Sequence, residues 1–386
     1  MADDSEYLWY IPNQNESGHR GDPDDPLHNT LDRLTTHAKA LEEHGWKGAL
    51  IGTGWGRPDT FTLAAALTAR TKSFEPLIAI RPGYWRPANF ASAAATLDHL
   101  SGGRVRVNIV SGQDNLAAYG DSEAGQAERY GRTAEFMRLV RWLWTEEEVS
   151  YEGDYYRLSG ATVVPRIEPR GDRRHPRLYF GGASAAAEQT AAAEADVQLF
   201  WGEPLDGIEE RIARLKSLSR QVDRDLPPLE FGLRITTFVR DTTEQAWAEA
   251  EAKVAELAKR NGAKDHHRRS AAVGQQRLLD LQARGDVLDD NLYTAPGRAG
   301  GGGAGTTWLV GSAEDVAASL RKYRALGITH FVLSDTPYLS EIERQGTQLL
   351  PLLRQEGIAL PAGTTRQKDA PEIQPAVLPI AAGTVH

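Results

Sequence analysis

Hydrophobic positions along the chain follow two alternating periodicities: short β-branched and aromatic runs, and longer stretches with helical spacing. Tyr7–Pro12 (YLWYIP) predicts a first strand, and Leu27–His44 a helix closed by Gly45. Ala49–Gly52 predicts a second strand, with an Ala/Leu-rich helix over Thr60–Arg70 behind it. Leu77–Arg81 (LIAIR) is a third strand, followed by a helix over Ala88–Leu100. Ser101-Gly102-Gly103 ends that helix, as glycine past a C-terminus does. Arg104–Val110 (RVRVNIV) is the fourth strand, succeeded by a long helix over Glu128–Trp144 and a hairpin around Tyr151–Tyr155. Leu178–Phe180, Val197–Trp201, Phe231–Val239 and His330–Leu333 supply the remaining strands. Helices at Ala185–Ala195 and Ile342–Leu353 complete the pattern.

Eight β/α units in alternation predict an α/β fold of parallel strands closed as a TIM (β/α)8 barrel, in one domain over about 1–360. An open doubly wound sheet gives the same alternation. No G-x-G-x-x-G follows an early strand, which counts against its dinucleotide-binding form. Two regions break the rhythm. Residues 259–306 hold the charged run His266-His267-Arg268-Arg269 and then the glycine run Gly300–Gly303. A long insertion that ends in glycines predicts a mobile lid. Residues 361–386, rich in Pro, Thr and Ala, predict a flexible C-terminal tail.

Composition narrows the function. The chain has 386 residues and no cysteine, which excludes disulfides, thiolate metal sites and cysteine nucleophiles. A net charge of −9 argues against a nucleic-acid footprint. No window approaches the roughly 20 apolar residues of a membrane span, and the acidic start Met1-Ala-Asp-Asp is no secretory signal. The expected location is cytoplasmic. The histidines show no metal-binding spacing, so no metal site is expected, and neither a P-loop nor a G-x-S-x-G is present.

In a barrel the chemistry sits at the C-terminal strand ends. The fourth strand ends Asn108-Ile-Val-Ser111-Gly112, suited to hydrogen bonding a polar ring. The fifth ends Gly181-Gly182-Ala183-Ser184 and runs into an Ala-rich helix. That arrangement presents N–H groups and a hydroxyl to a phosphate, although G-G-x-S also serves as a plain turn and helix cap. Trp201, ending the sixth strand, can form a flat apolar wall or simply pack. Arg234, inside the seventh, calls for an anionic ligand or a structural ion pair, because an unpaired arginine there is costly.

These segments together resemble the alkanesulfonate monooxygenase branch of the luciferase-like flavin monooxygenases. The resemblance runs from about Tyr7 to Leu353. It is carried by Thr96–Arg104 (TLDHLSGGR), Asn108–Gly112 (NIVSG), Glu128-Arg-Tyr130, Leu178–Ser184 (LYFGGAS) and Trp201–Pro204 (WGEP). Phe231–Arg234 (FGLR), Val273–Arg277 (VGQQR), Gly302–Thr306 (GGAGT) and Gly327–Ser334 (GITHFVLS) continue it. The resemblance implies reduced FMN (FMNH2) delivered by an NAD(P)H-dependent flavin reductase, O2 and a small-molecule substrate, and a homodimer or homotetramer. It implies Asn108, Ser111 and Tyr130 as flavin ligands, Gly182, Ala183 and Ser184 as the phosphate loop, and Arg234 near the reacting oxygen; Arg234 and Trp201 are the candidate catalytic residues.

Departures cluster on the substrate side. Arg57, in Gly54-Trp55-Gly56-Arg57, stands where the family has a cysteine, and Thr236 where it has a histidine. Thr336 replaces a tyrosine, and an early histidine falls near Asn13-Gln14. The lid arginine falls on Gly301, leaving Arg298 as its substitute. Trp55, Arg57, Thr236 and Arg298 are therefore the expected substrate-side residues. The reaction implied is oxygenation of an alkanesulfonate to sulfite and an aldehyde. The alternatives are oxygenation of another small molecule, a deazaflavin oxidoreductase, or a non-catalytic flavin-binding protein.

Overall fold

A computed structural model describes residues 5–11, 13, 22–23, 25–112, 115–121, 125–171, 173–261 and 272–355. The first half runs β1 Glu6–Ile11, α1 Leu31–Glu43, β2 Gly48–Ile51, α2 Thr60–Thr68, β3 Glu75–Ile80, α3 Pro87–Ser101, β4 Arg106–Ile109 and α4 Gln126–Thr145. A hairpin of β5 Val149–Glu152 and β6 Arg157–Ala161 follows, then β7 Leu178–Phe180, α5 Ala185–Glu194, β8 Val197–Trp201 and α6 Leu205–Gln221. The remainder is β9 Glu230–Arg240, α7 Thr243–Asn261, α8 Val273–Asp280, β10 Val287–Leu288, β11 Leu292–Tyr293, β12 Trp308–Ser312, α9 Ala313–Ala325, β13 Ile328–Ser334 and α10 Tyr338–Arg354.

Eight strands close a parallel barrel in the order β1-β2-β3-β4-β7-β8-β9-β13, with β13 returning to β1. This is the predicted TIM barrel. Side-chain alternation along each strand builds two cores. Leu8, Tyr10, Leu77, Ala79, Tyr179, Leu199 and Val332 fill the barrel, while Tyr7, Trp9, Ile78, Ile80, Phe331 and Leu333 pack outward on the helices. Helix ends follow local chemistry: Thr30 caps α1, and Gly102, at φ 67°, ends α3.

The floor of the barrel, at the N-terminal strand ends, is an ion network. Arg106 of β4 reaches Glu6 of β1, Glu75 of β3 at 2.6 Å and Tyr179 of β7 at 2.8 Å. His330 of β13 lies 2.9 Å from Glu6 and 2.6 Å from Glu230 of β9. Burial alone would raise the pKa values of Glu6 and Glu230. Hydrogen bonds from His330 and Arg106 instead hold Glu6 far below the carboxylate range, and His330 with Arg177 and Arg173 brings Glu230 down to about 2.

The expected lid segment is in part a built extension of the sheet. Its described portion contains α8, β10 and β11, and leads to β12 and α9, which the sequence reading did not predict; α6 was likewise unpredicted. β9 is long enough to serve twice, its first half in the barrel and Thr236–Arg240 paired with β12. Ser312 and Asp315 form a capping box at the start of α9, a local signal for that strand-to-helix junction. Residues 262–271 of the expected lid and the tail at 361–386 lie outside the described residues. Among the described residues no helix is long and apolar enough to cross a membrane.

Glu6 and Glu230 have folded-state pKa values below the ordinary 4.5, so folding favours their ionised forms. Their contribution is complete above that value and is lost as pH falls through the folded values. The thermal midpoint should therefore drop as pH falls from 4.5 to about 2. Glu6→Gln should remove about 3 kcal/mol at neutral pH. Calorimetry across that window is the check, and a flat midpoint in wild type would contradict it.

Candidate active site

A cavity of about 560 Å3 opens at the C-terminal ends of the barrel strands, within the range of about 300–1,000 Å3 typical of ligand sites. Its wall draws on Arg81 after β3, Asn108 on β4 and Val110 after it, Gly181–Ser184 after β7, Trp201 at the end of β8 and Glu203 after it, and Arg234 on β9. Arg129 and Tyr130 on α4, Arg211 on α6 and the start of α8 complete it. Strand alternation explains the selection: on β4, Arg106 and Asn108 both face inward, one into the floor and the other into the mouth.

The phosphate-loop expectation falls on a specific geometry. Ser184 caps α5 and accepts the Ala187 N–H at 3.2 Å. Its own hydroxyl hydrogen is still available to a ligand, beside the N–H groups of the first helical turn. The Gly182 carbonyl accepts from Arg211 Nη2 at 2.6 Å and from Gln198 Nε2 at 3.1 Å. Tyr130, buried, stands edge-on to Phe180. Asn108 is buried, and its Oδ1 has no hydrogen-bond partner among the described residues.

Trp201 packs beside two glycines. A Cβ on Gly274 would lie 3.3 Å from the indole, and one on Gly303 3.6 Å from it. The Arg234 guanidinium sits 4.7 Å above the Tyr10 ring. The Tyr10 hydroxyl in turn accepts from Arg57 at 3.5 Å. Among the described residues, four arginines (Arg81, Arg129, Arg211 and Arg234) and one acid, Glu203, line the cavity, with Arg211 ion-paired to Glu203 and Glu188. A surplus of positive charge in a recessed site favours an anionic ligand.

The other expected residues sit elsewhere. Ser111 is buried against Thr133, their hydroxyl oxygens 2.5 Å apart, and does not line the cavity. Thr236 donates to the Ala304 carbonyl at 2.9 Å, which pins the glycine run to β9. Arg298 is more than half exposed and pairs with Asp286 at the surface, because the turn at Ala295–Gly297 directs it outward. Trp55 is 50 % exposed and meets Tyr119 edge-on at 4.8 Å. Thr336 accepts from Lys253 at 3.0 Å.

Sequence reasoning missed Arg81, Arg129 and Arg211. Arg81 ends a predicted strand and Arg129 adjoins Tyr130, so position could have flagged both. Arg211, within Glu209-Glu210-Arg211, reads as a solvated charge run, and only its partners reveal it.

The luciferase-like monooxygenase family model matches residues 5–330. Solved structures with the same fold include a riboflavin lyase with modified FMN and substrate riboflavin, at 20% identity over 94% of both chains and a TM-score of 0.69. An EDTA monooxygenase from Chelativorans sp. BNC1 matches at 17% identity over 92% of this chain and 95% of its own, TM-score 0.72. A long-chain alkane monooxygenase matches at 16% identity over 95% of each chain, TM-score 0.71.

The Thr236 hydroxyl holds the glycine run in place. Thr236→Val should cost about 1–3 kcal/mol and speed amide exchange selectively over residues 303–307. Unchanged exchange there would mean that the hydroxyl anchors nothing.

Proposed function

Because this chain belongs to the luciferase-like monooxygenase family, we propose that it is the oxygenating component of a two-component flavin system. It takes reduced FMN from an NAD(P)H-dependent flavin reductase and uses O2 to oxygenate a small organic anion. An alkanesulfonate is the substrate we name. Alkanesulfonate, O2 and FMNH2 then give aldehyde, sulfite, water and FMN, which balances in atoms and electrons.

The observation that carries this reading is one cavity that combines an anion cradle at Gly181–Ser184 with an arginine surplus. The residues fit a flavin. Asn108 Oδ1, buried and without a partner among the described residues, needs a donor that a polar ring edge would supply. The loop N–H groups, the Ser184 hydroxyl and Arg129 suit a phosphate. Bound in reduced form, the flavin supplies the electrons that let O2 deliver one oxygen atom to the substrate.

The chain's own part is positioning and electrostatics. Arg234, with its guanidinium face on Tyr10, stabilises negative charge on the reacting oxygen. Trp201 and the start of α8 wall the cavity and exclude water. A second reading, oxygenation of a non-sulfonate substrate, is favoured by two substrate-side positions that turn away: Thr236 bonds Ala304, and Arg298 pairs with Asp286.

A reductase-coupled screen of sulfonates, ketones and amines, read by sulfite release and product mass, tests the proposal. Stoichiometric sulfite and aldehyde are the expected result. An oxygenated ketone or amine would establish the second reading. Oxygen uptake unaffected by any substrate class would overturn both.

Two variants dissect the site. Ser184→Asp sets a carboxylate against the phosphate at a helix N-terminus and should weaken FMN binding by ~10-fold or more in a fluorescence titration. Unchanged affinity would remove the loop from the site. Arg234→Met, with folding verified by circular dichroism, should lower kcat by ~100-fold or more. Near-normal turnover in a folded variant would leave Arg234 as scaffold.

A further inference from the structure

Arg211 is 3 % exposed, and each of its guanidinium nitrogens is committed to a different element. Nε donates to Glu188 of α5 at 2.9 Å, Nη1 to Glu203 after β8 at 2.7 Å, and Nη2 to the Gly182 carbonyl at 2.6 Å. Glu203 is itself shared. Its second oxygen accepts from Arg277 of α8, Nε lying at 3.2 Å, and its backbone carbonyl accepts from Tyr323 of α9 at 2.7 Å. Glu188 is held below the ordinary glutamate range; burial alone would raise it, and hydrogen bonding and charge from Arg214 and Arg211 outweigh that.

A trans peptide points its N–H away from its C=O. Fixing the Gly182 carbonyl on Arg211 therefore fixes the Ala183 N–H on the opposite side of the loop, just ahead of the N-terminus of α5. With Nε and Nη1 taken by the two acids, the buried Nη2 needs an acceptor of its own, and the one it takes is the Gly182 carbonyl of the loop. α8, reached through Glu203 and Arg277, starts at the cavity: Ala272, its N-cap, and Val273 and Gly274 line it, and Gly274 lies near Trp201.

We propose that Arg211 is a positioning residue that presets the Gly182–Ser184 loop for a phosphate, and that Glu203 and Arg277 couple occupancy of that loop to α8. This inference rests on the reading that the cavity takes a flavin phosphate. A guanidinium can hold all three partners at once. A lysine keeps the charge but not the three directed bonds.

Oxidised FMN and riboflavin differ only in the phosphate, so their affinities separate positioning from scaffolding. Wild type should prefer FMN. Arg211→Lys should cut FMN affinity about tenfold, the size of one charge-assisted hydrogen bond, and leave riboflavin affinity within about twofold. Gln198→Leu, which removes the other donor to Gly182, should act in the same direction more weakly, and it decides the matter should the lysine variant not fold. Equal losses for both flavins would make Arg211 scaffold only and overturn the inference. FMN should also slow hydrogen exchange across residues 273–280 in wild type, and not in the partly exposed variant Arg277→Gln. Protection retained in that variant would overturn the coupling. Wild type that binds FMN no tighter than riboflavin would defeat the phosphate site itself, a failure of the underlying reading rather than of Arg211 alone.

Discussion

A closed barrel has to bury whatever its strands point inward, and in this chain those residues include Glu6, Arg106 and His330. Buried charges of this kind are tolerable only when they satisfy one another. They do so across the seam: His330 on the last strand reaches Glu6 on the first and Glu230 on β9, and Arg106 brings in β3, β4 and β7. The floor thus fixes the relative register of most of the strands. Once register is fixed, alternation dictates what stands at the mouth. The same β4 that commits Arg106 to the floor delivers Asn108 to the cavity, and β9 delivers Arg234 from the strand whose first residue is Glu230.

The two ends of the barrel handle charge differently. At the floor, acids and bases are matched in tight pairs. Around the cavity, arginines outnumber acids among the described residues, and the one lining acid there, Glu203, is already shared by Arg211 and Arg277. Stability chemistry at the bottom and ligand chemistry at the top is the division expected of this architecture. The glycine run shows how the two meet. Thr236, on the part of β9 that leaves the barrel, pins Ala304, and Gly303 approaches Trp201, so the cavity wall is continuous with the extended sheet.

The barrel was legible because its strands are short continuous apolar runs, buried on both faces and separated by turns and helices, and Leu178–Phe180 and Val197–Trp201 fall where the pattern puts them. β12 was not legible because Trp308–Ser312 directly follows a glycine-rich stretch that reads as loop. At the site, Asn108, Tyr130, Gly182–Ser184, Trp201 and Arg234 could be located from strand ends and from resemblance, and all of them line one cavity. Ser111, Thr236 and Arg298 were expected from the resemblance alone, which carries no side-chain direction; here Ser111 meets Thr133, Thr236 bonds Ala304 and Arg298 pairs with Asp286. Arg211 was invisible for a different reason: its meaning lies in Glu188, Glu203 and Gly182, which only the fold brings together.

The central claim is that the Gly181–Ser184 loop and Asn108 hold the two ends of one flavin mononucleotide. A crystal structure of the chain soaked with FMN tests it most directly. The account predicts phosphate oxygens at about 3 Å from the loop N–H groups and the Ser184 hydroxyl, with the ring edge donating to Asn108 Oδ1. A phosphate bound anywhere else, or a flavin ring that leaves Asn108 without a partner, would contradict it.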